Sequence, residues 1–212
     1  MTSCCARDYE RVFGRKTAAR DARRFRRRGL RGSSKAAAEL AGDVRGATVL
    51  EVGGGVGAIE IALLEHGAKS ATNVELAATY EDAARRLLSE RDLAARVDRR
   101  IGDFVAEADA IPTHDVVLMH RVVCCYPDVE ALVGAGAAHA RARMVLTYPQ
   151  ERRAIRAAIA AIDAVMRVAG STFQVYVHPV DRIAAAAHGM QLVERRRSGY
   201  VWETAVFATS GR

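Results

Sequence analysis

Residues 49–61 read VLEVGGGVGAIEI, and this stretch limits the fold more than any other. Four strand-forming residues run into three consecutive glycines, and apolar residues at helical spacing follow at once. Such a strand–glycine–helix junction belongs to α/β proteins, where a strand feeds a helix through a tight turn. A plain turn needs one or two glycines. Four of them (Gly53, Gly54, Gly55 and Gly57) indicate a loop whose backbone approaches a ligand, because a residue without Cβ admits positive φ and close contact.

The rest of the chain continues the rhythm. Strands are expected at 48–52, 71–75, 97–101, 115–119 and 144–147, with helices at 56–66, 77–90, 129–139 and 155–168 between them. In the helix at 77–90, Ala84, Leu87 and Leu88 should face inward. This alternation implies a parallel sheet covered by helices on both faces. The end breaks the pattern. A short helix at 181–187 precedes extended runs at 191–196 and 200–208, and Ser198-Gly199 between them signals a hairpin. Before the first strand, residues 6–28 carry a weak apolar stripe of Tyr9, Val12, Phe13, Ala19, Ala22 and Phe25. Gly29 and Gly32 end it, and Ser33 or Ser34 can cap a second helix through Leu40.

At 212 residues and half hydrophobic, the chain can bury one good core, and it is read as a single domain over 1–212. Residues 1–46 are expected to be a basic helical lid and 47–212 the core. No apolar run approaches the ~20 residues of a membrane span, and no secretory h-region opens the sequence, so a cytoplasmic protein is expected. The vicinal pairs Cys4–Cys5 and Cys124–Cys125 are then reduced thiols, and their spacing does not suit a metal, so none is expected. Charge is concentrated at the front: residues 1–35 hold 12 lysines and arginines against 3 acids, so the net +7 arises there. Such a segment can attract a polyanion, or be the solvated face of an arginine-rich chain with only three lysines.

The glycine spacing alone is ambiguous, since 53–58 satisfies a relaxed dinucleotide fingerprint as well as a second pattern. No Gly-Lys-Ser/Thr follows, which excludes a P-loop. Glu51 precedes the first glycine by two residues, where a carboxylate repels a pyrophosphate and favours an ammonium or sulfonium. Glu75, at the end of the next strand, can accept both hydroxyls of a ribose. Asp103, closing the third, can take the exocyclic amine of an adenine. Those three recognition elements, in that order, describe S-adenosyl-L-methionine.

Here the sequence resembles a family. VLEVGGGVG, NVEL, IGDF and HDVVLMH are similar to the successive motifs of class I S-adenosylmethionine-dependent methyltransferases, over about residues 47–208. The resemblance implies a Rossmann-like seven-stranded, mostly parallel sheet of order 3-2-1-4-5-7-6 with a C-terminal antiparallel hairpin. It implies cofactor-binding roles for Glu51, Gly53, Gly54, Gly55, Gly57, Glu75, Leu76, Asp103, Phe104 and His120. One departure follows strand 4, where many members have a second acid or Asn-Pro-Pro-Tyr and this chain reads HRVVCCYP, which argues against acceptors that are exocyclic base amines.

Methyl transfer is an in-line displacement from an activated donor, so the protein must align the reactants, exclude water and, for some acceptors, remove a proton. The candidate catalytic residues are His120 and Tyr126. His120 is either a general base or a hydrogen-bond partner of the cofactor or a neighbouring loop. Arg121 can pair with a substrate carboxylate or with a surface acid. Tyr148, Tyr9, Phe13 and His178 complete the expected acceptor site, the last within a cover at 173–179 that resembles magnesium-protoporphyrin methyltransferases without assigning a substrate. Tyr200 and Trp202 are expected in the core. The leading expectation is a small-molecule methyltransferase. The alternatives are an RNA or protein methyltransferase that uses the basic segment, with nucleic acid the less favoured partner, and a non-enzymatic cofactor-binding regulator.

Overall fold

The computed structural model describes residues 9 and 11–209. Cys4 and Cys5 lie outside them. The elements in order are α1 (Arg15–Arg28), α2 (Ser33–Leu40), β1 (Thr48–Val52), α3 (Ala58–Glu65), β2 (Ser70–Glu75), α4 (Glu81–Ser89), β3 (Val97–Ile101), β4 (His114–His120), α5 (Val129–His139), β5 (Ala140–Pro149), α6 (Arg153–Val168), α7 (Val180–Ala186), β6 (Met190–Ser198) and β7 (Trp202–Thr209). The seven strands form one sheet of order β3-β2-β1-β4-β5-β7-β6, with β7 antiparallel to both neighbours, as expected.

Alternation along the central strands sorts side chains into two cores. Val49, Val116, Leu118 and Val145 pack beneath α1–α4, while Leu50, Val52, Val117, Met119 and Leu146 pack beneath α5 and α7. Ala84, Leu87 and Leu88 of α4 are buried, as their spacing predicts. The strand order reverses between β1 and β4, and ligands of open α/β sheets bind outside the carboxyl ends of such strands.

Several local expectations are corrected. The helix expected over 6–28 is interrupted: Tyr9, Arg11 and Val12 are helical, Gly14 is extended, and α1 starts at Arg15. The remainder of that stretch, residues 6–8 and 10, lies outside the described residues. Neither Ser33 nor Ser34 caps α2, whose N-cap is Gly32. The hairpin turn is wider than Ser198-Gly199, because Ser198 pairs with Trp202 and three residues lie between them.

Under the glycine loop sits a polar cluster within the core. Glu51 and Glu60 are 2% and 0% exposed. The Glu60 N–H donates to Glu51 Oε2 at 2.9 Å, and Asn73 Nδ2 donates to Glu60 Oε2 at 2.8 Å. Arg99, on β3, supplies the positive charge: its guanidinium meets Glu60 at 3.5 Å and Glu81 at 2.9 Å, and its Nη2 donates to the Gly55 carbonyl at 3.1 Å. Buried charges persist only when paired and hydrogen-bonded in this way.

Burial and the nearby Glu60 hold the Glu51 carboxyl well above its ordinary 4.5. The unfolded chain releases that proton near 4.5 and the folded chain retains it, so stability is highest below that pH and falls as pH rises toward the folded value. Glu51→Gln keeps the acceptor for the Glu60 amide and removes the titration. We expect its thermal midpoint to exceed the wild type's at neutral pH, with the gap closing as pH falls toward 4.5. A gap independent of pH would contradict the assignment.

Candidate functional site

β1 ends in Val52, and the chain turns through Gly53 at φ 65° and Gly55 at φ 57° before α3 starts. Both angles fall where L side chains are strained. A methyl group on Gly53 would collide with Val122, and one on Gly55 would press on the Tyr80 ring. Gly53, Gly55, Glu75, Leu76, Asp103, Phe104, His120, Arg121 and Tyr126 line one cavity of about 170 Å³ at the carboxyl ends of β1, β2, β3 and β4. Tyr9 and Phe13 cover it, and Phe173 meets both rings edge-on at 5.3 and 5.7 Å. The two covers expected from sequence thus touch each other. The Tyr9 hydroxyl donates to the Cys125 carbonyl, and the Tyr176 N–H donates to the Cys124 carbonyl at 2.7 Å, tying both covers to the loop after β4.

Glu75 lies at the cavity wall with one oxygen accepting from the Gly55 N–H at 2.8 Å and the other from the Ala77 N–H at 2.9 Å. Each oxygen keeps a lone pair for a further donor. Burial raises this carboxyl's pKa, and the Ala77 and Gly55 amides oppose the rise. Asp103 accepts from the Tyr126 hydroxyl at 3.3 Å and from the Val105 N–H at 3.1 Å. Burial raises the Tyr126 pKa and the Asp103 charge adds to it, so this phenol is a donor.

Glu51 sits differently from its sequence reading. It lies below the loop, not at its mouth, and holds the Glu60 amide. Gly54 faces a second cavity, and Gly57, at φ 76°, is the N-cap of α3. Tyr148 does not reach the described cavities: it is 2% exposed, with its hydroxyl 3.3 Å from Glu203, because its position on β5 points it into the core. His178 is buried, stacks on Tyr176 and bonds the Tyr126 carbonyl at 3.0 Å, so it braces the cover. Trp202 is not core packing, since the Arg121 guanidinium lies over its ring at 4.3 Å, and Tyr200 is exposed beneath Arg152.

His120 ends β4 where the two cavities meet. Ser33, the expected cap, reaches it instead: Ser33 Oγ lies 2.9 Å from His120 Nε2 and accepts from Arg121 at 2.9 and 3.2 Å. With its lone pairs engaged by the guanidinium, the Ser33 hydroxyl has its proton for Nε2, which assigns the ring hydrogen to Nδ1. Burial and the Arg121 charge push the imidazole down to about 3. It is therefore neutral at physiological pH and weakly basic.

Sequence reading overlooked Tyr80 and Val122, which shape the loop, and Arg24, Arg31 and Ser33, which wall the second cavity or anchor it. The break at Gly29–Gly32, which returns the chain over the sheet, was the available signal.

The fold and this cavity define a class I S-adenosylmethionine-dependent methyltransferase. The O-methyltransferase domain family matches residues 7–134, more than half of the sequence, and the chain belongs to that family. Among solved structures, magnesium protoporphyrin IX methyltransferase from Synechocystis PCC 6803, with bound S-adenosylmethionine, is similar at TM-score 0.66 and 16% identity, over 96% of this chain and 90% of that one. An O-methyltransferase family protein from Burkholderia thailandensis is similar at TM-score 0.68 and 19% identity, over 84% of this chain and 55% of that one. Mitomycin 7-O-methyltransferase is similar at TM-score 0.60 and 24% identity, over 84% and 54%. The chain thus spans about half the length of the latter two. No curated protein matches the sequence. Among the described residues, no helix is long and apolar enough to cross a membrane.

The His120 assignment is open to measurement. In nitrogen-15 spectra we expect a neutral imidazole, protonated at Nδ1, throughout pH 5–8. A titration midpoint between 6 and 7 would show a ring that is not held by Ser33 and Arg121.

Proposed function

We propose that this chain transfers a methyl group from S-adenosylmethionine to a small-molecule acceptor at the carboxyl edge of the sheet. The observation that carries the reading is the convergence of Gly53, Gly55, Glu75 and Asp103 on one cavity under an aromatic cover. The bound donor supplies an activated sulfonium methyl. Glu75 accepts the ribose hydroxyls with the lone pairs left by Gly55 and Ala77, and Asp103, oriented by Tyr126, accepts the adenine amine. Leu76 and Phe104 flank the ring, and Tyr9, Phe13 and Phe173 exclude water.

The fit is supported by the loop itself, since a Cβ at Gly53 or Gly55 meets a neighbour and positive φ is required at both. Glu51 acts from beneath, positioning the loop through the α3 amide. His120 holds α2 against β4 through Ser33, and its low basicity argues against proton removal by this ring. The solved neighbours named above act on magnesium protoporphyrin IX and on mitomycin, which supports a small-molecule acceptor for this chain too.

The basic front of the chain is read as a wall and lid over residues 1–46, within a single domain over 1–212 and in the cytoplasm. Ala18, Ala22 and Phe25 of α1 are buried, and Arg26 is paired with Glu90 at 2.6 Å, an arrangement unlike a free polyanion-binding arm.

Calorimetry with S-adenosylhomocysteine tests the assignment. Glu75→Ala should weaken binding by about 1.5–3 kcal/mol, the value of charge-assisted bonds to two hydroxyls. A thermal melt of the same variant separates this loss from unfolding. Wild-type affinity in the variant would remove Glu75 from the site.

A further inference from the structure

The loop after β4 carries a pair of reactive groups that methyl transfer does not use. Cys124 and Cys125 are adjacent, their sulfurs lie 3.7 Å apart, and the Arg121 carbonyl faces both at 3.4 and 3.6 Å. Arg121 holds that carbonyl in place from φ 62°, a costly backbone conformation for a non-glycine residue. Cys124 is 3% exposed, whereas Cys125 is half-buried and lines the cavity under the aromatic cover. A hydrogen bond from the Cys125 thiol lowers the Cys124 pKa, burial opposes the shift, and the Arg121 charge assists it. The pair therefore gives up a proton more readily than an ordinary cysteine, and the thiolate is the reactive form.

The backbone of the same two residues holds both covers. The Tyr9 hydroxyl donates to the Cys125 carbonyl, and the Tyr176 N–H donates to the Cys124 carbonyl at 2.7 Å. The Cys125 N–H bonds the Val122 carbonyl at 2.8 Å and closes the turn. Joining the sulfurs would bring them from 3.7 Å to about 2.05 Å and close a small ring around the peptide unit between them. With side chains this short, the approach rotates that peptide unit, whose oxygen is the acceptor for Tyr176. It also tilts the adjoining Cys125 carbonyl away from Tyr9. Successive Cα atoms stand only about 3.8 Å apart, closer than disulfides ordinarily span, so such a bond is strained and easily reduced again.

We propose that Cys124 and Cys125 form a reversible oxidation site, where hydrogen peroxide converts the two thiols to a disulfide, frees both covers and weakens donor binding. That the cavity holds the donor rests on the methyltransferase reading above, whereas the sulfur chemistry and the release of the covers do not. First a thiolate attacks a peroxide oxygen, the O–O bond breaks, and a sulfenic acid and water result. The neighbouring sulfur then attacks the sulfenic sulfur. The S–S bond forms, and the departing hydroxide takes up the thiol proton as a second water. Two thiols are oxidised and one peroxide is reduced. Burial raises the Tyr9 pKa, and a phenol withdrawn from water is unfavourable once it loses its acceptor. Tyr9 therefore leaves the closed position, and with it the ring contacts to Phe13 and Phe173.

The chain has four cysteines, so the full-length Cys4→Ser/Cys5→Ser variant retains only this pair. That protein is reduced, treated with hydrogen peroxide, and followed by peptide mass, amide hydrogen exchange and calorimetry with S-adenosylhomocysteine. We expect the peptide bearing Cys124 and Cys125 to become lighter by two hydrogens and to be restored by dithiothreitol. Exchange of the Tyr176 amide should quicken at least tenfold without any ligand, and S-adenosylhomocysteine affinity should fall at least tenfold. Cys124→Ser and Cys125→Ser, each added to that background and compared with itself before and after peroxide, should show neither change. Oxidation that stops at sulfinic acid, or the same response in both added variants, would overturn the proposal. So would a disulfide that leaves Tyr176 exchange, or the affinity of a donor-binding protein, unchanged. Faster exchange on oxidation, in a protein that fails to bind S-adenosylhomocysteine even when reduced, would instead defeat the donor reading and support the oxidation site.

Discussion

The glycine loop rests on Arg99. This one buried guanidinium, 3% exposed, draws Glu60 of α3 and Glu81 of α4 to β3 and bonds the Gly55 carbonyl. Without it, Glu60 would be a buried acid with the Asn73 amide as partner and no counter-charge, a cost of several kcal/mol in related cases. Arg99 therefore couples three otherwise separate parts: the sheet edge, the helix after the loop and the loop's own backbone. The loop can then present Gly53 and Gly55 at positive φ with their other faces free.

Above the loop, a different economy operates. The cover is aromatic and is attached to backbone: Tyr9 to Cys125, Tyr176 to Cys124, and Thr79 to the Phe13 carbonyl. Ser33 joins α2 to His120 and Arg121, and through Arg121 to Trp202 on the last strand. Residues distant in sequence thus meet at the end of β4. On the reading offered here, the arginine-rich front of the chain serves as a cavity wall, which explains why it carries apolar residues at α1's inner face.

The succession of elements and the cavity's location were legible because they follow from local pattern, whereas the strand order was implied by the family resemblance. The strand–glycine–helix junction, the alternation of elements and the terminal hairpin each have a short-range signature. Gly53, Glu75 and Asp103 close successive strands, so topology alone brings them together. What sequence could not reveal was the direction of individual side chains. Glu51 faces inward because β1 alternates and Val52 takes the opposite core. Tyr148 obeys the same alternation and misses the described cavities. Ser33 carries a helix-cap signature, yet the tertiary partners His120 and Arg121 outcompete that local role. Trp202 could be recognised as a stacking surface only once β7 was known to pair beside β5.

The account's central claim is that the loop serves S-adenosylmethionine and not a dinucleotide, a choice the glycine spacing alone left open. Ligand that binds only the folded chain raises its thermal midpoint in proportion to the logarithm of its concentration once saturating. The most direct measurement is therefore the midpoint of the intact chain against rising S-adenosylhomocysteine and, separately, rising NADH. The account predicts a continuing rise with S-adenosylhomocysteine and none with NADH. An equal or larger rise with NADH would contradict it.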